Sequence, residues 1–254
     1  ALGSGALLAP SAAGAADVNG QNVEIDDAHA PSNNVTDPNN SSNAIGTAAG
    51  FISNAADNGN VTNNTLTFNG RPGPSPYDKP LFGGLTFGTG DVTGNKVFVN
   101  PSVSPLLSAA DGIYGGGADG GGSVQNNHAV FDGHFLNSDM VGGMTRTRGT
   151  GIVKENTATL KGGSTNYDIY GGMARAGANG DVLGNTATIE DGSITGKVYG
   201  GYTDGTGKVT GNTATLTGGT LSSDIYGGVA ASGDAVKNTV NIKGGSAAGH
   251  DVYG

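Results

Sequence analysis

The sequence predicts an all-β chain wound as a parallel β-helix of about seven coils, each with about three short strands. Three observations lead to this prediction. The chain repeats itself at intervals of 26–32 residues, and part of each repeat alternates apolar and polar residues. Glycine is abundant and charge is scarce, with 49 glycines among 254 residues and 13% charged residues. Periods of about 20 to 50 residues are typical of solenoids, propellers and arrays, and period-two alternation predicts strands with one buried face.

Two landmarks define the repeat. The first is an asparagine, found at Asn64, Asn95, Asn127, Asn156, Asn185, Asn212 and Asn238. The second is an aromatic or apolar residue that in most copies precedes a pair of glycines, found at Phe82, Tyr114, Val141, Tyr170, Tyr199, Tyr226 and Tyr253. Because both landmarks keep step along most of the chain, the repeat is a structural unit and every other residue is interpreted within it.

The first predicted strand follows the asparagine. Two positions after it the residues are Leu66, Val97, Ala129, Ala158, Ala187, Ala214 and Val240, and four positions after it they are Phe68, Val99, Phe131, Leu160, Ile189, Leu216 and Ile242. The positions between them are mostly threonine or another polar residue. This alternation predicts one face packed in the interior and one facing solvent. A propeller blade needs four strands in about 40 residues or more, so these units are too short for one.

The asparagine has the same parity as the two apolar columns, so we expect it to point inward. A single buried amide would be unfavourable, because each unpaired donor or acceptor costs about 1–3 kcal/mol. Equivalent amides in successive coils can donate to one neighbour and accept from the other. The sequence therefore predicts a structural ladder of asparagines at 64, 95, 127, 156, 185, 212 and 238.

The second predicted strand carries the aspartate–isoleucine–tyrosine pattern of Asp168–Tyr170. We expect the isoleucine column to face inward and the tyrosine column outward, since charged residues precede the isoleucines. The outward column, Tyr114, Tyr170, Tyr199, Tyr226 and Tyr253, would then form an exposed aromatic stripe for ligand contact, or would only stack to cover its strand. The glycine pairs are expected to make sharp turns with positive φ. A third short strand is expected at Ile194 and Leu221.

Three regions are expected along the chain. Residues 1–15 are small and apolar and end in Ala13-Gly14-Ala15, which predicts the tail of a signal peptide. Residues 16–58 are expected to form an irregular cap with a degenerate first coil that begins at Gln21 and closes near Ile45-Gly46. Residues 59–254 are the β-helix, and we expect it to be a fragment of a longer protein truncated at the C-terminus.

The charge and cysteine content of the chain exclude nucleic acid as a partner and disulfide bonds as a framework. With a net charge of −9 and only 12 Lys and Arg, the chain has no basic surface for nucleic acid. It has no cysteine, which excludes a disulfide framework. No phosphate-binding loop or zinc spacing occurs, so no cofactor and no metal are expected.

The pattern G-x-V-x-x-N-T-A-T-L-x-G-G followed by D-I-Y-G-G is carried by Gly151–Gly172, Gly180–Gly201 and Gly207–Gly228. It resembles the repeats in passenger domains of bacterial autotransporters and haemagglutinin-like adhesins of type V secretion. The resemblance implies export to the bacterial cell surface through a C-terminal outer-membrane barrel that this sequence lacks. It also implies contact with a glycan or a surface protein of host or neighbouring cells.

The sequence therefore predicts a non-catalytic, extracellular stalk or adhesin segment, with three alternatives. A structural fibre such as a phage fibre would use the same repeat. A polysaccharide-acting enzyme would need converging carboxylates, for which Asp26-Asp27 and Glu190-Asp191 are candidates. An ice-binding solenoid would use the outward threonines of the first strand, such as Thr157 and Thr159.

Overall fold

The computed structural model describes residues 16–25, 34–37, 40–70, 79–100, 112–146 and 149–254. This part of the chain consists of strands and turns without any helix. The strands form three parallel sheets along the axis of a single solenoid, which confirms the predicted all-β parallel β-helix. Residues 1–15, 71–78 and 101–111 lie outside the described residues.

The first sheet has eight strands of two residues, each with one inward valine or alanine. These strands are β1 (Val18–Asn19), β5 (Val61–Thr62), β8 (Val92–Thr93), β11 (Val124–Gln125), β14 (Val153–Lys154), β17 (Val182–Leu183), β21 (Val209–Thr210) and β25 (Ala235–Val236). The inward residue precedes the ladder asparagine by three positions, as in Val153 and Asn156. The eight strands correspond to the seven copies recognised in the sequence and the degenerate first one.

The second sheet has ten strands and contains the threonine-rich segment that follows each asparagine. Its main strands are β2 (Asn22–Ile25), β6 (Thr65–Phe68), β9 (Lys96–Val99), β12 (His128–Leu136), β15 (Thr157–Thr165), β18 (Thr186–Ile189), β22 (Thr213–Leu216) and β26 (Thr239–Ile242). Two short strands, β19 (Ser193–Ile194) and β23 (Thr220–Leu221), extend this sheet beside the last residues of β15. β19 pairs with β15, and β23 pairs with β19. They are the third strand expected at Ile194 and Leu221.

The third sheet has nine strands and carries the isoleucine–tyrosine–glycine–glycine segment. Its parallel strands are β4 (Asn40–Ile52), β7 (Leu81–Thr86), β10 (Ile113–Ala118), β13 (Met140–Thr145), β16 (Ile169–Ala174), β20 (Val198–Thr203), β24 (Ile225–Ala230) and β27 (Val252–Tyr253). The ninth, β3 (Asn34–Asp37), pairs antiparallel with the first half of β4.

The degenerate first copy contributes β1, β2 and β4 to the three sheets, and its predicted end near Ile45-Gly46 is two residues too early. Residue Thr47 pairs with Leu81 and Ala48 pairs with Phe82, so the copy closes at Thr47–Ala48 instead of Ile45–Gly46. The closing pair there lacks the usual isoleucine and tyrosine, which is why the sequence pattern misplaced it.

The core is built from columns of equivalent side chains. Inward residues of the second and third sheets, such as Leu160 and Ile169, form one continuous cluster. Inward residues of the first sheet, such as Val153 and Val182, pack against Ala174 in a second cluster. These side chains are fully buried. Each rung buries too few apolar side chains to be stable alone, so the rungs stabilise one another as solenoid repeats do.

Candidate functional site

The asparagine ladder is the continuous polar feature of the interior. Six of its members are 0% exposed: Asn64, Asn95, Asn127, Asn156, Asn185 and Asn212. From each of them the side-chain Nδ2 donates to Oδ1 of the next asparagine at 2.8–3.0 Å. The same Oδ1 also accepts the backbone N–H of the preceding asparagine. The amides therefore form one directional chain from Asn64 to Asn238.

The remaining hydrogen of each amide is also used. The Nδ2 of Asn156 donates to the carbonyl of Val124 in the preceding rung at 2.9 Å. Equivalent bonds join Asn127 to Val92 and Asn185 to Val153. Because each buried donor and acceptor of the amide has a partner, the ladder meets the requirement for burying polar groups. It ties the first sheet to the second at every rung.

The glycine pairs have a different role from the predicted one. They lie inside the strands of the third sheet, and the prediction of positive φ is wrong for them. A Cβ on Gly143 would lie 2.3 Å from Cγ of Asn156, and one on Gly142 would lie 2.4 Å from the carbonyl oxygen of Gly171. Glycine is required here because the third sheet passes directly against the asparagine ladder.

Positive φ occurs instead at the residue before each ladder asparagine. Several copies have glycine there, as at Gly94, Gly184 and Gly211, with φ between 62° and 70°. Others place a residue with a side chain in the same left-handed conformation, including Glu155 and Lys237, both at φ 56°. A side chain in this region is strained by contact between Cβ and the backbone. The turn into the second sheet thus imposes a local cost in some rungs.

The tyrosine column lies on the outer face of the third sheet, as its parity predicts, but much of it is buried. Exposure is 2% for Tyr114, 7% for Tyr170 and 8% for Tyr199, and it reaches 47% only at Tyr253. The prediction of an exposed aromatic stripe is therefore wrong for the first three residues. Tyr226 is intermediate in exposure.

Stacking explains this burial. Adjacent strands are about 4.8 Å apart, and in-register rings at this distance cover each other's faces. Ring centroids are separated by 4.9 Å between Tyr170 and Tyr199, 5.0 Å between Tyr199 and Tyr226, and 4.8 Å between Tyr226 and Tyr253. Val141 separates this stack from Tyr114, which stacks on Phe82 instead. A sugar ring cannot stack on faces that neighbouring rings already cover, so ligand contact in the stack is confined to ring edges.

Hydroxyls of the tyrosine column donate hydrogen bonds to aspartate carboxylates. The hydroxyl of Tyr170 donates to Oδ2 of Asp168 at 2.9 Å, and Tyr226 donates to Asp224 at 3.0 Å. The other carboxylate oxygen accepts a backbone N–H of the next rung, as Asp168 does from Lys197 at 2.7 Å. Burial, followed by the nearby Asp168, raises the pKa of Tyr170. These aspartates therefore bind neighbouring rungs together.

One rung replaces the aspartate with Lys197. Its Nζ lies 3.7 Å from a carboxylate oxygen of Asp224 and 5.5 Å from the centre of the Tyr226 ring. The pKa of Asp224 is lowered, first by the backbone N–H of Asp251 and also by the Tyr226 hydroxyl and Lys197. Lys197 lies between two pairs of rungs that carry aspartate at this position. Its positive charge reduces the electrostatic repulsion between those aspartates.

The residues considered for catalysis do not converge in the described part of the chain. Glu190 and Asp191 are exposed in a turn, where Asp191 accepts the N–H of Gly192. His128 lies on the outward face of the second sheet, where burial and then Lys96 lower its pKa. Asp26 and Asp27 lie outside the described residues.

The described residues contain no group of three or more His, Asp or Glu side chains placed to hold a metal ion. They also contain no helix of the length and apolarity that a membrane crossing needs.

Comparison of the chain with models of protein families, with curated proteins and with solved structures gives no match.

Proposed function

We propose that the chain is a rigid stalk segment of an exported bacterial surface protein of the adhesin type, with a contact surface on its outer face. The observation that carries the proposal is the uninterrupted asparagine ladder, which joins seven successive rungs by paired hydrogen bonds. At about 4.8 Å per rung, the eight strands of the first sheet extend about 34 Å. A stalk needs this combination of extension and stiffness.

The side-chain chemistry is consistent with a structural role. Aspartates of the third sheet bind backbone N–H groups and tyrosine hydroxyls of their own or adjacent rungs. The carboxylate oxygens of these aspartates are therefore already hydrogen-bonded within the solenoid. The resemblance of the repeats to autotransporter passenger domains supports export, and the absence of cysteine is compatible with it.

The proposed contact surface is the edge of the tyrosine column at Tyr202 and Tyr226. Both side chains are intermediate in exposure, and their hydroxyls donate to the carboxylates of Asp204 and Asp224. Tyrosines contribute large contact area at low entropic cost. Ring edges and hydroxyls beside carboxylates suit hydrogen bonding to a glycan or to a surface protein of host or neighbouring cells.

A bead-attachment assay tests the proposal. Beads coated with the purified chain are expected to attach to epithelial or bacterial cells more than albumin-coated beads do. The double variant Tyr202→Ser/Tyr226→Ser should reduce attachment. Tyr167→Ser is the matched control, since Tyr167 is 45% exposed but lies outside the column. Attachment no better than that of albumin would refute the adhesin function, and an equal loss in the control would refute the proposed surface.

Sedimentation separates the stalk from a fibre protein. A passenger-type stalk is expected to sediment as a monomer. A phage-type fibre is expected to form a stable trimer, and finding one would favour that alternative.

A further inference from the structure

Seven threonines form a regular grid on the outer face of the second sheet. They are Thr157, Thr159, Thr186, Thr188, Thr213, Thr215 and Thr239, named here the threonine array. Strand pairing places Thr157, Thr186, Thr213 and Thr239 in one row and Thr159, Thr188 and Thr215 in the other, where Asn241 takes the fourth place. The array therefore spans four rungs, one more than the threonine pairs of the sequence indicate.

The spacing of the grid follows from strand geometry. Neighbouring rungs are about 4.8 Å apart, and two residues along a strand span about 6.6 Å. Threonine is branched at Cβ, so its χ1 angle is restricted and its hydroxyl and methyl group are held in fixed directions. The array is a rigid pattern of hydroxyls and methyl groups before any ligand arrives.

The hydroxyls of the array are free to bind a ligand. Among the described residues, none of the seven has a hydrogen-bond partner for its side chain. Threonines elsewhere in the molecule behave differently: the Oγ1 atoms of Thr86 and Thr203 accept backbone N–H groups, and that of Thr217 donates to a carbonyl. Those hydroxyls form hydrogen bonds within turns or between rungs, whereas the array presents its hydroxyls outward.

The array is also uncharged. Between Thr157 and Asn241 its two rows contain only threonine and one asparagine, while the preceding rungs carry Lys96 and His128. Charged groups orient water around themselves and disturb an ordered layer. Aromatic and acidic side chains that would favour a glycan lie on the third sheet instead.

We propose that the threonine array binds ice, by holding a layer of water in the arrangement of an ice surface. A hydroxyl has one donor and two acceptor positions and can replace a water molecule in a hydrogen-bonded lattice. Hydroxyls that repeat at about 4.8 Å between rungs and about 6.6 Å along a strand would hold water molecules in a regular two-dimensional layer. Fixed side chains lose little entropy on contact with such a lattice. This activity is independent of cell attachment.

Ice recrystallisation in the presence of the purified chain tests the proposal. The wild-type chain is expected to keep ice grains small, compared with albumin at the same mass concentration. Thr188→Lys and Thr213→Lys place a charge in the array and should abolish the effect. Thr188→Val keeps the shape and removes one hydroxyl, and it should weaken the effect.

The matched control is Thr210→Lys, which adds the same charge to the outer side of the first sheet in the same part of the solenoid. Circular dichroism and melting temperature establish that each variant is folded. Inhibition that persists in Thr210→Lys and is lost in Thr188→Lys supports the proposal. A wild-type chain no more active than albumin would overturn it, as would equal loss of activity in Thr210→Lys.

Discussion

Replacing Asn156 with alanine interrupts the asparagine ladder at its middle. The Oδ1 of Asn156 accepts both the backbone N–H and the Nδ2 of Asn127, and its own Nδ2 donates to Val124 and Asn185. In the variant the backbone N–H of Asn127 and one Nδ2 hydrogen of Asn127 lose their acceptor inside the solenoid, whereas the carbonyl of Val124 keeps its strand hydrogen bond. We therefore expect a large loss of stability.

The magnitude follows from the two unpaired groups. A buried donor or acceptor without a partner costs about 1–3 kcal/mol, so the expected loss is about 2–6 kcal/mol. This is a large share of the about 5–15 kcal/mol by which a typical domain is stable. The outward Asn241, which takes no part in the ladder, gives the control Asn241→Ala, with an expected change within about 0.5 kcal/mol.

Urea unfolding followed by circular dichroism measures both variants. The variant Asn156→Asp tests the direction of a pH effect on stability. Its carboxyl keeps an acceptor oxygen toward Asn127, but its other oxygen replaces the Nδ2 donor and faces two acceptor oxygens. Burial raises the pKa of that carboxyl in the folded state, so the variant should be most stable below about pH 4 and lose stability as the pH rises. An Asn156→Ala variant as stable as Asn241→Ala would refute the structural role of the ladder.

Three further perturbations probe the features around the ladder. Gly143→Ala puts a methyl group 2.3 Å from a ladder amide and should cost about 1–3 kcal/mol or more in urea unfolding, whereas Gly121→Ala meets its nearest atom at 3.6 Å and should change little. Glu155→Gly relieves a left-handed residue and should raise stability by about 0.5–1 kcal/mol, and a lower melting temperature would contradict this. The hydrogen bond to Asp204 raises the pKa of Tyr202 to about 12, above about 10 in the unfolded chain. The resulting stability is present below about pH 10 and is lost as the pH rises toward about 12, so Tyr202→Phe should lessen that loss in urea titrations at alkaline pH.

The columns along the second sheet were predictable because their period is short and repeated. Ala158 and Leu160 have the same parity as Asn156, so the inward direction of the amide follows from the pattern of the strand. The two-residue strands of the first sheet were missed, since two residues cannot display a period. A valine three positions before most ladder asparagines, such as Val153, was the available signal.

The roles of glycine and tyrosine could not be predicted from the repeat alone. A glycine pair is compatible with a sharp turn and with close approach of backbones, and only the position of the ladder beside Gly143 decides between them. Parity predicts that Tyr170 faces outward. Its burial depends on the match between strand spacing and ring stacking, and on side chains such as Met173 beside it.

Hydrogen exchange of asparagine side-chain amides by NMR tests the central claim most directly, because the ladder fixes which amides are protected. In D2O the Nδ2 hydrogens of Asn95, Asn127, Asn156, Asn185 and Asn212 are expected to exchange slowly. Those of the outward Asn166 and Asn179, which are not in the ladder, should exchange quickly. Equally fast exchange of both groups in the folded protein would contradict a continuous buried ladder.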